Sequence, residues 1–151
     1  SLGHQVLRLY RRSDSDMMRH FDKKSILEAD SSYRRDLINC LSGYKSLNLI
    51  GTKSQAGISN LAPFSQVFHI GATPPLVGIL FRPHTVERHT LQNILDTGFF
   101  TLNHVSEAFF KQAHQTAARF EGSEFEGTGL EEEYLDDFFA PFVKLSKVKL
   151  A

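Results

Sequence analysis

A chain of 151 residues is long enough for one domain with a real core and too short for two ordinary ones. Its 17 basic side chains offset 17 acidic ones, so no overall field draws it to nucleic acid or an anionic membrane, and any anion has to be held locally. No apolar run reaches the roughly 20 residues of a membrane span, and the single cysteine excludes an internal disulfide or a thiolate-rich metal site, so the cytoplasm is the expected location.

Residues 1–17 carry no strong pattern and read as a leader or arm, with Met18 a candidate start. Phe21 to Leu41 reads as helical, with Leu27, Leu37, Ile38 and Leu41 as apolar positions and Asp30, Ser31 and Ser32 offering an N-cap; Gly43 ends it. Cys40, in an apolar helical context, is expected to be a buried thiol. Ser46 to Thr52 is β-like, Gln55-Ala56-Gly57 supplies turn chemistry, and Phe64 to Ile70 is a second strand. After the Thr73-Pro74-Pro75 break, Leu76 to Phe81 is nearly all apolar and reads as a strand buried on both faces. Thirteen phenylalanines and no tryptophan leave aromatic packing to Phe, and Phe64, Phe68, Phe81, Phe99 and Phe100 are expected in the core.

Thr85 to Thr97 forms a helix capped by Thr85, with Leu91, Ile94 and Leu95 on its apolar stripe and Gly98 ending it. Phe99 to Val105 returns to β, Ser106 to Phe120 is helical, and Glu121 to Gly129 reads as a surface loop. The acidic run Glu131, Glu132, Glu133, Asp136, Asp137 reads as a solvated helical face. Pro141 to Leu150 is a strand whose alternation slips, which a bulge would repair.

Two segments carry the chemistry. Gly51 to Ser65 (GTKSQAGISNLAPFS) runs a strand end, a polar hairpin and an Asn-Leu-Ala-Pro-Phe-Ser run together, a shallow polar cradle beside a sheet. Arg82 to Thr90 (RPHTVERHT) gathers two arginines, two histidines and two threonines at the start of a helix. Arg82 and Arg88 offer charge-assisted forks, Thr85 and Thr90 hydroxyls, and the helix its N-terminal amides, a set that suits a phosphate. On its residues alone the hairpin is equally well structural. His69, His104 and His114 lack short ligand spacing and accompanying carboxylates, which disfavours a metal; His69 and His104 are expected in the polar core or at its rim. No Gly-x-Gly-x-x-Gly, Walker or Gly-x-Ser-x-Gly sequence occurs.

With NLIGT before the first segment and TLNHV after the second, the order IGTKS, SNLAPFS, RPHTVERHT, TLNHV resembles the flavin reductase-like family of FMN-binding split barrels, from about Phe21 onward. The resemblance implies a mainly β fold, a split barrel with flanking helices, over 18–151. The family pattern continues through further strands, so this domain is expected to lack its C-terminal ones. Arg88, His89 and Thr90 match the family's phosphate triplet. By the same resemblance Thr52, Lys53, Ser54, Asn60, Leu61, Ala62, Pro63 and Ser65 approach the flavin ring and ribityl chain, with Arg82 and Thr85 at the phosphate and His104 near the ring. His114, in HQT, is a weaker candidate across a subunit interface. The implied activity is NAD(P)H:FMN oxidoreduction by a homodimer, with redox chemistry supplied by FMN and no catalytic side chain. A non-enzymatic FMN carrier and a pyridoxamine-phosphate-oxidase-like or deazaflavin-dependent relative are the alternatives.

Overall fold

The computed structural model describes residues 9–12, 18–82 and 89–151, which fall into two compact units, 1–44 and 45–151. In the first unit, β1 (Leu9–Arg12) pairs antiparallel with β2 (Met18–Phe21), inside and just after the segment expected to be an arm. The single helix expected from Phe21 to Leu41 is two: α1 (Lys23–Glu28), capped by Asp22, and α2 (Ser31–Cys40). Asp30 makes the break. Its carboxylate accepts from the amides of Ser32 and Tyr33, so the backbone at Asp30 leaves helical geometry and starts a new helix. The Ser32 hydroxyl, then those amides, hold the Asp30 carboxyl below its ordinary range. Cys40 is exposed, contrary to the expected buried thiol, because it ends a helix that buries none of its own residues.

The second unit is built on a four-stranded sheet in the order β10 (Lys149–Leu150), β7 (Thr101–His104), β3 (Asn48–Lys53), β4 (Ser59–Phe64), all antiparallel. β3 lies between two partners and is buried on both faces. A Cβ at Gly51 would fall on the Pro141 carbonyl oxygen and on Thr101 Oγ1, so only glycine lets the 141–143 segment lie against the sheet. Asn103 fixes that segment: its amide donates to the Leu49 carbonyl at 3.2 Å and to Thr101 Oγ1 at 2.9 Å, and its oxygen accepts from the Val143 amide at 2.9 Å. Leu49, Leu61, Phe109, Ala113, Phe125, Leu130 and Val143 form the core, with Leu47 and Val105 against it.

β4 is an edge strand, which is why Pro63 is tolerated in it. The Leu61 amide donates to the Glu124 carboxylate at 3.0 Å, and Pro63 has no amide to offer, so this edge presents few free donors to another strand. A separate ribbon pairs β5 (Val67–Ala72) with β6 (Pro75–Ile79) across a cis Thr73–Pro74 peptide. β6 is not the doubly buried barrel strand expected: Val77 is 54% exposed, and Phe68, Ile70 and Leu76 are comparably open. Within the ribbon Phe68 and Ile70 lie over Gly78, most of its residues stay exposed, and among the described residues the sheets do not close into a barrel.

Three more expectations change beyond α3 (His89–Thr97). After a 3-10 turn (Glu107–Phe109) and α4 (Phe110–Gln115), the expected loop holds a short helix, α5 (Glu124–Thr128), because Phe125 is an anchor 3% exposed. Ser123 caps α5 and Gly129, at φ 69°, ends it. The acidic run is not helical: Glu132–Glu133 form β8, paired with β9 (Phe142–Val143), while Asp136 and Asp137, both at positive φ, make a turn closed by the Phe138 amide on the Leu135 carbonyl at 2.9 Å. Glu131 pairs with Lys144 and Glu133 with Lys149. The slipped alternation of 141–150 is a change of sheet rather than a bulge, with β9 on β8 and β10 on β7. Ser146 turns the chain between them, its hydroxyl shared between the carbonyls of His104 and Val148, both at 2.8 Å.

Candidate functional site

The β3–β4 hairpin is closed at its tip by the Ser54 amide on the Ile58 carbonyl and the Gly57 amide on the Ser54 carbonyl, both at 2.9 Å, with Gly57 at φ 85°. That left-handed residue suits glycine and lets the turn stay tight. Helix α3 then lies along the hairpin, tied at three heights. Asn60 Nδ2 donates to Thr90 Oγ1 at 2.8 Å, Asn93 Nδ2 to Thr52 Oγ1 at 3.1 Å, and Gln55 Nε2 to the Asp96 carbonyl at 3.1 Å.

Thr90, Asn93 and Asp96 recur every third residue and so share one helix face. This polar face, not the expected Leu91, Ile94, Leu95 stripe, meets the hairpin: Thr90 and Asn93 are buried and Leu95 is 70% exposed. The reason is the surface it meets, which presents Thr52 and Asn60. Apolar side chains there would leave those groups unpaired at a cost of about 1–3 kcal/mol each.

The last residue of the second segment, Thr90, is therefore adjacent to the first segment. Bonds join Thr52, Asn60 and Thr90, and Lys53 and Ser54 continue from Thr52 into the turn. The Thr90 oxygen accepts from Asn60, which leaves its proton for another acceptor. Thr52 and Leu61 are fully buried, backbone included, so they shape the cradle from within the sheet, and the Leu61 amide is taken by Glu124. Ala62 and Pro63 are half-buried, and Ser65, Arg82, His89 and His104 are exposed. Arg82, Ser65 and His104 lie outside the hydrogen-bonded set. The His104 amide donates to the Val148 carbonyl at 3.0 Å. Thr85 and Arg88 lie outside the described residues. His69 and His114 are exposed, and among the described residues no three His, Cys, Asp or Glu side chains are placed to hold a metal.

Several residues at the site carry no signal in the sequence. Lys53 Nζ donates to the Tyr134 hydroxyl at 3.1 Å and sits 4.6 Å from that ring's centroid. Tyr134 in turn donates to Glu132 at 2.8 Å, with Ser59 Oγ 3.4 Å from its hydroxyl. The link spans 81 residues, which no local pattern reveals. Asn93 could have been found, since it stands three residues after Thr90 on the same helix face.

The comparisons agree with this architecture. Residues 44–150 match the flavin reductase-like domain model. An uncharacterized protein of Aquifex aeolicus is 32% identical over 127 residues, covering 82% of this chain and 65% of its own length. The crystal structure of a candidate flavin reductase with a split barrel domain from Shewanella frigidimarina is 51% identical, with a TM-score of 0.83 over 87% of this chain and 66% of that one. The 2-nitrobenzoate 2-nitroreductase of Pseudomonas fluorescens, 23% identical, shares the fold at a TM-score of 0.71 over 87% of this chain and 62% of its own. The chain belongs to the flavin reductase-like domain family, with its split-barrel fold of sheet and helices. It spans somewhat less than two thirds of the length of these relatives.

The Thr90 hydroxyl keeps a proton for an acceptor, the exposed His89 precedes it, and the short side chains of Ser54 and Ala62 leave space beside the hairpin, a set compatible with a flavin mononucleotide.

Proposed function

We propose that the protein binds FMN and acts as an NAD(P)H-dependent flavin reductase, as a cytoplasmic homodimer whose domain is 18–151. The observation that supports this reading is the pair of bonds, Asn60 to Thr90 and Asn93 to Thr52, that holds α3, which begins at the end of the phosphate-type segment, beside the polar hairpin. In this reading Arg82, Thr85, Arg88, His89 and Thr90 hold the phosphate. Lys53, Ser54, Asn60, Ala62, Pro63 and Ser65 line the ribityl chain and ring, Thr52 and Leu61 support them from within the sheet, and His104 stands at the rim.

When held by these residues, FMN would supply the redox chemistry, as the hydride acceptor for a nicotinamide. The protein's part is to bind, orient and exclude water, and no side chain serves as nucleophile. Tyr134 and Glu132 keep the Lys53 ammonium in one place beside the hairpin. The open apolar faces of β5–β6, with Phe68, Ile70, Leu76 and Val77 about half exposed, support the homodimer, since a second copy would remove them from water. No helix among the described residues is long and apolar enough to cross a membrane.

The test is NAD(P)H oxidation by purified protein with FMN supplied. The reading expects turnover above the buffer rate. A yellow protein that binds FMN without oxidising NAD(P)H would replace the reductase with a carrier, and a protein that selects pyridoxine phosphate or a deazaflavin over FMN would move the chain to another branch of the fold.

A further inference from the structure

Asn93 stands outside the residues assigned to the flavin, yet it belongs to the same buried set. Four side chains close a ring between α3 and the hairpin. Thr52 and Asn60 are opposite each other across the β3–β4 ladder, and Thr90 and Asn93 stand three residues apart on one face of α3. Asn60 Nδ2 donates to Thr90 Oγ1 and Asn93 Nδ2 to Thr52 Oγ1, which joins the two sides. None of the four residues is more than 8% exposed.

The dimensions of the two sides agree. Three residues of helix rise about 4.5 Å, and Cα atoms paired across an antiparallel ladder lie about 4.5–5.5 Å apart, so both bonds form in a single setting of the helix. Sliding α3 by one residue swings this face round by about 100° and leaves both buried amides without acceptors, so the ring fixes one register. The bonds run in opposite senses, each asparagine giving and each threonine receiving, which leaves each threonine its proton. Thr52 is enclosed in the sheet, whereas Thr90 ends the phosphate-type segment. A hydroxyl that accepts a bond on one side cannot turn its proton to that side, so Asn60 limits where the Thr90 proton points before an anion arrives.

We propose that Asn93, acting through Thr52, is a positioning residue for the FMN phosphate: it seats α3 so that the Thr90 hydroxyl, held by Asn60, presents its proton to a phosphate oxygen. This rests on the flavin reductase reading, which places the phosphate at Thr90, and it adds a pair of side chains that act without touching the ligand. Their effect is preorganisation. A donor already fixed in direction loses little freedom when the anion arrives, so affinity rises without a new contact. The effect bears on the phosphate alone, and riboflavin, which has none, does not sense it.

The experiment titrates the purified full chain with FMN and with riboflavin by flavin fluorescence, comparing the parent with the double variant Asn93→Leu/Thr52→Val. Exchanging both partners for apolar side chains of similar size leaves no orphaned amide, so the fold is kept, as urea unfolding will show. The double variant is expected to bind FMN about 10-fold more weakly, the lower end for one hydrogen bond to a charged group, with riboflavin affinity within about twofold of the parent. The phosphorus NMR resonance of bound FMN should move toward its free position. Thr52→Ser keeps the acceptor and should keep the parent's preference for FMN. Where the double variant fails to fold, Asn93→Ser, too short to span to Thr52, breaks the same tie. An equal loss of both flavins, an unchanged FMN affinity, or a Thr52→Ser protein that loses FMN as the double variant does overturns the assignment. A parent that binds the two flavins equally removes the phosphate site itself, and the role of Asn93 with it.

Discussion

β3 and β6 make an instructive pair. β3, Asn-Leu-Ile-Gly-Thr-Lys, has four polar or glycine residues of six, yet five of its six residues are buried. β6, Pro-Leu-Val-Gly-Ile, is apolar throughout, yet three of its five are exposed. The difference lies in what packs on each strand. β3 has a strand on either side and the 141–143 segment and α3 against it, and its polar groups are paired: Thr52 with Asn93, and Asn48 with Ser46 Oγ at 3.0 Å. β6 has one partner strand among the described residues, with Phe68 and Ile70 of that strand over Gly78 and its first three residues exposed. A strand's own hydrophobicity shows what burial would gain, and the rest of the fold decides whether burial occurs.

The comparison breaks most sharply at Asn103. Asn103→Ala removes two donated bonds and orphans the buried Val143 amide, so unfolding in urea should cost about 3 kcal/mol less than for the parent. A loss under about 1 kcal/mol would mean that the 141–143 segment does not depend on this network.

β6 should behave in the opposite way. Val77→Asp is expected to leave the stability of the isolated chain within about 0.5 kcal/mol, as for an exposed site, while shifting the proposed homodimer toward monomer in sedimentation. Strong destabilisation of the monomer would show that this face is already covered. Tyr134→Phe deletes the hydroxyl between Lys53 and Glu132 and should cost about 0.5–1.5 kcal/mol, with the core unchanged by near-UV circular dichroism.

The smallest effect concerns acid. Asp30 has its folded carboxyl lowered from 3.8, so its contribution to α2 is complete above that value and fades as pH falls through the lowered one. Asp30→Asn keeps a good cap without the titration, so the low-pH loss of helix signal should flatten.

Much of the fold was legible because it is written locally. The turn at Gly57, the end of α3 at Gly98, and the strands around Leu49 and Leu102 follow from residue type and period. The errors share one cause, that a local pattern carries no information about the partner. Leu91, Ile94 and Leu95 make a convincing apolar stripe, but the hairpin beneath α3 offers hydroxyl and amide groups, so Thr90 and Asn93 turn inward. Phe125 sits in a Gly- and Glu-rich stretch and reads as loop until the core that needs its ring is known. At the site, both motif segments were visible, but the contact of Thr90 with the hairpin was not. The Lys53 to Tyr134 contact lies just before a turn of two positive-φ aspartates that composition does not foretell.

Equilibrium titration of FMN against riboflavin, followed by flavin fluorescence on the parent and on Arg88→Ala, tests the central claim most directly. The account predicts that the parent prefers FMN and that Arg88→Ala weakens FMN by about 1.5–3 kcal/mol, or roughly 10- to 100-fold, while riboflavin affinity barely changes. Equal affinity of the parent for the two flavins, or a variant that holds FMN as tightly as the parent, would contradict it.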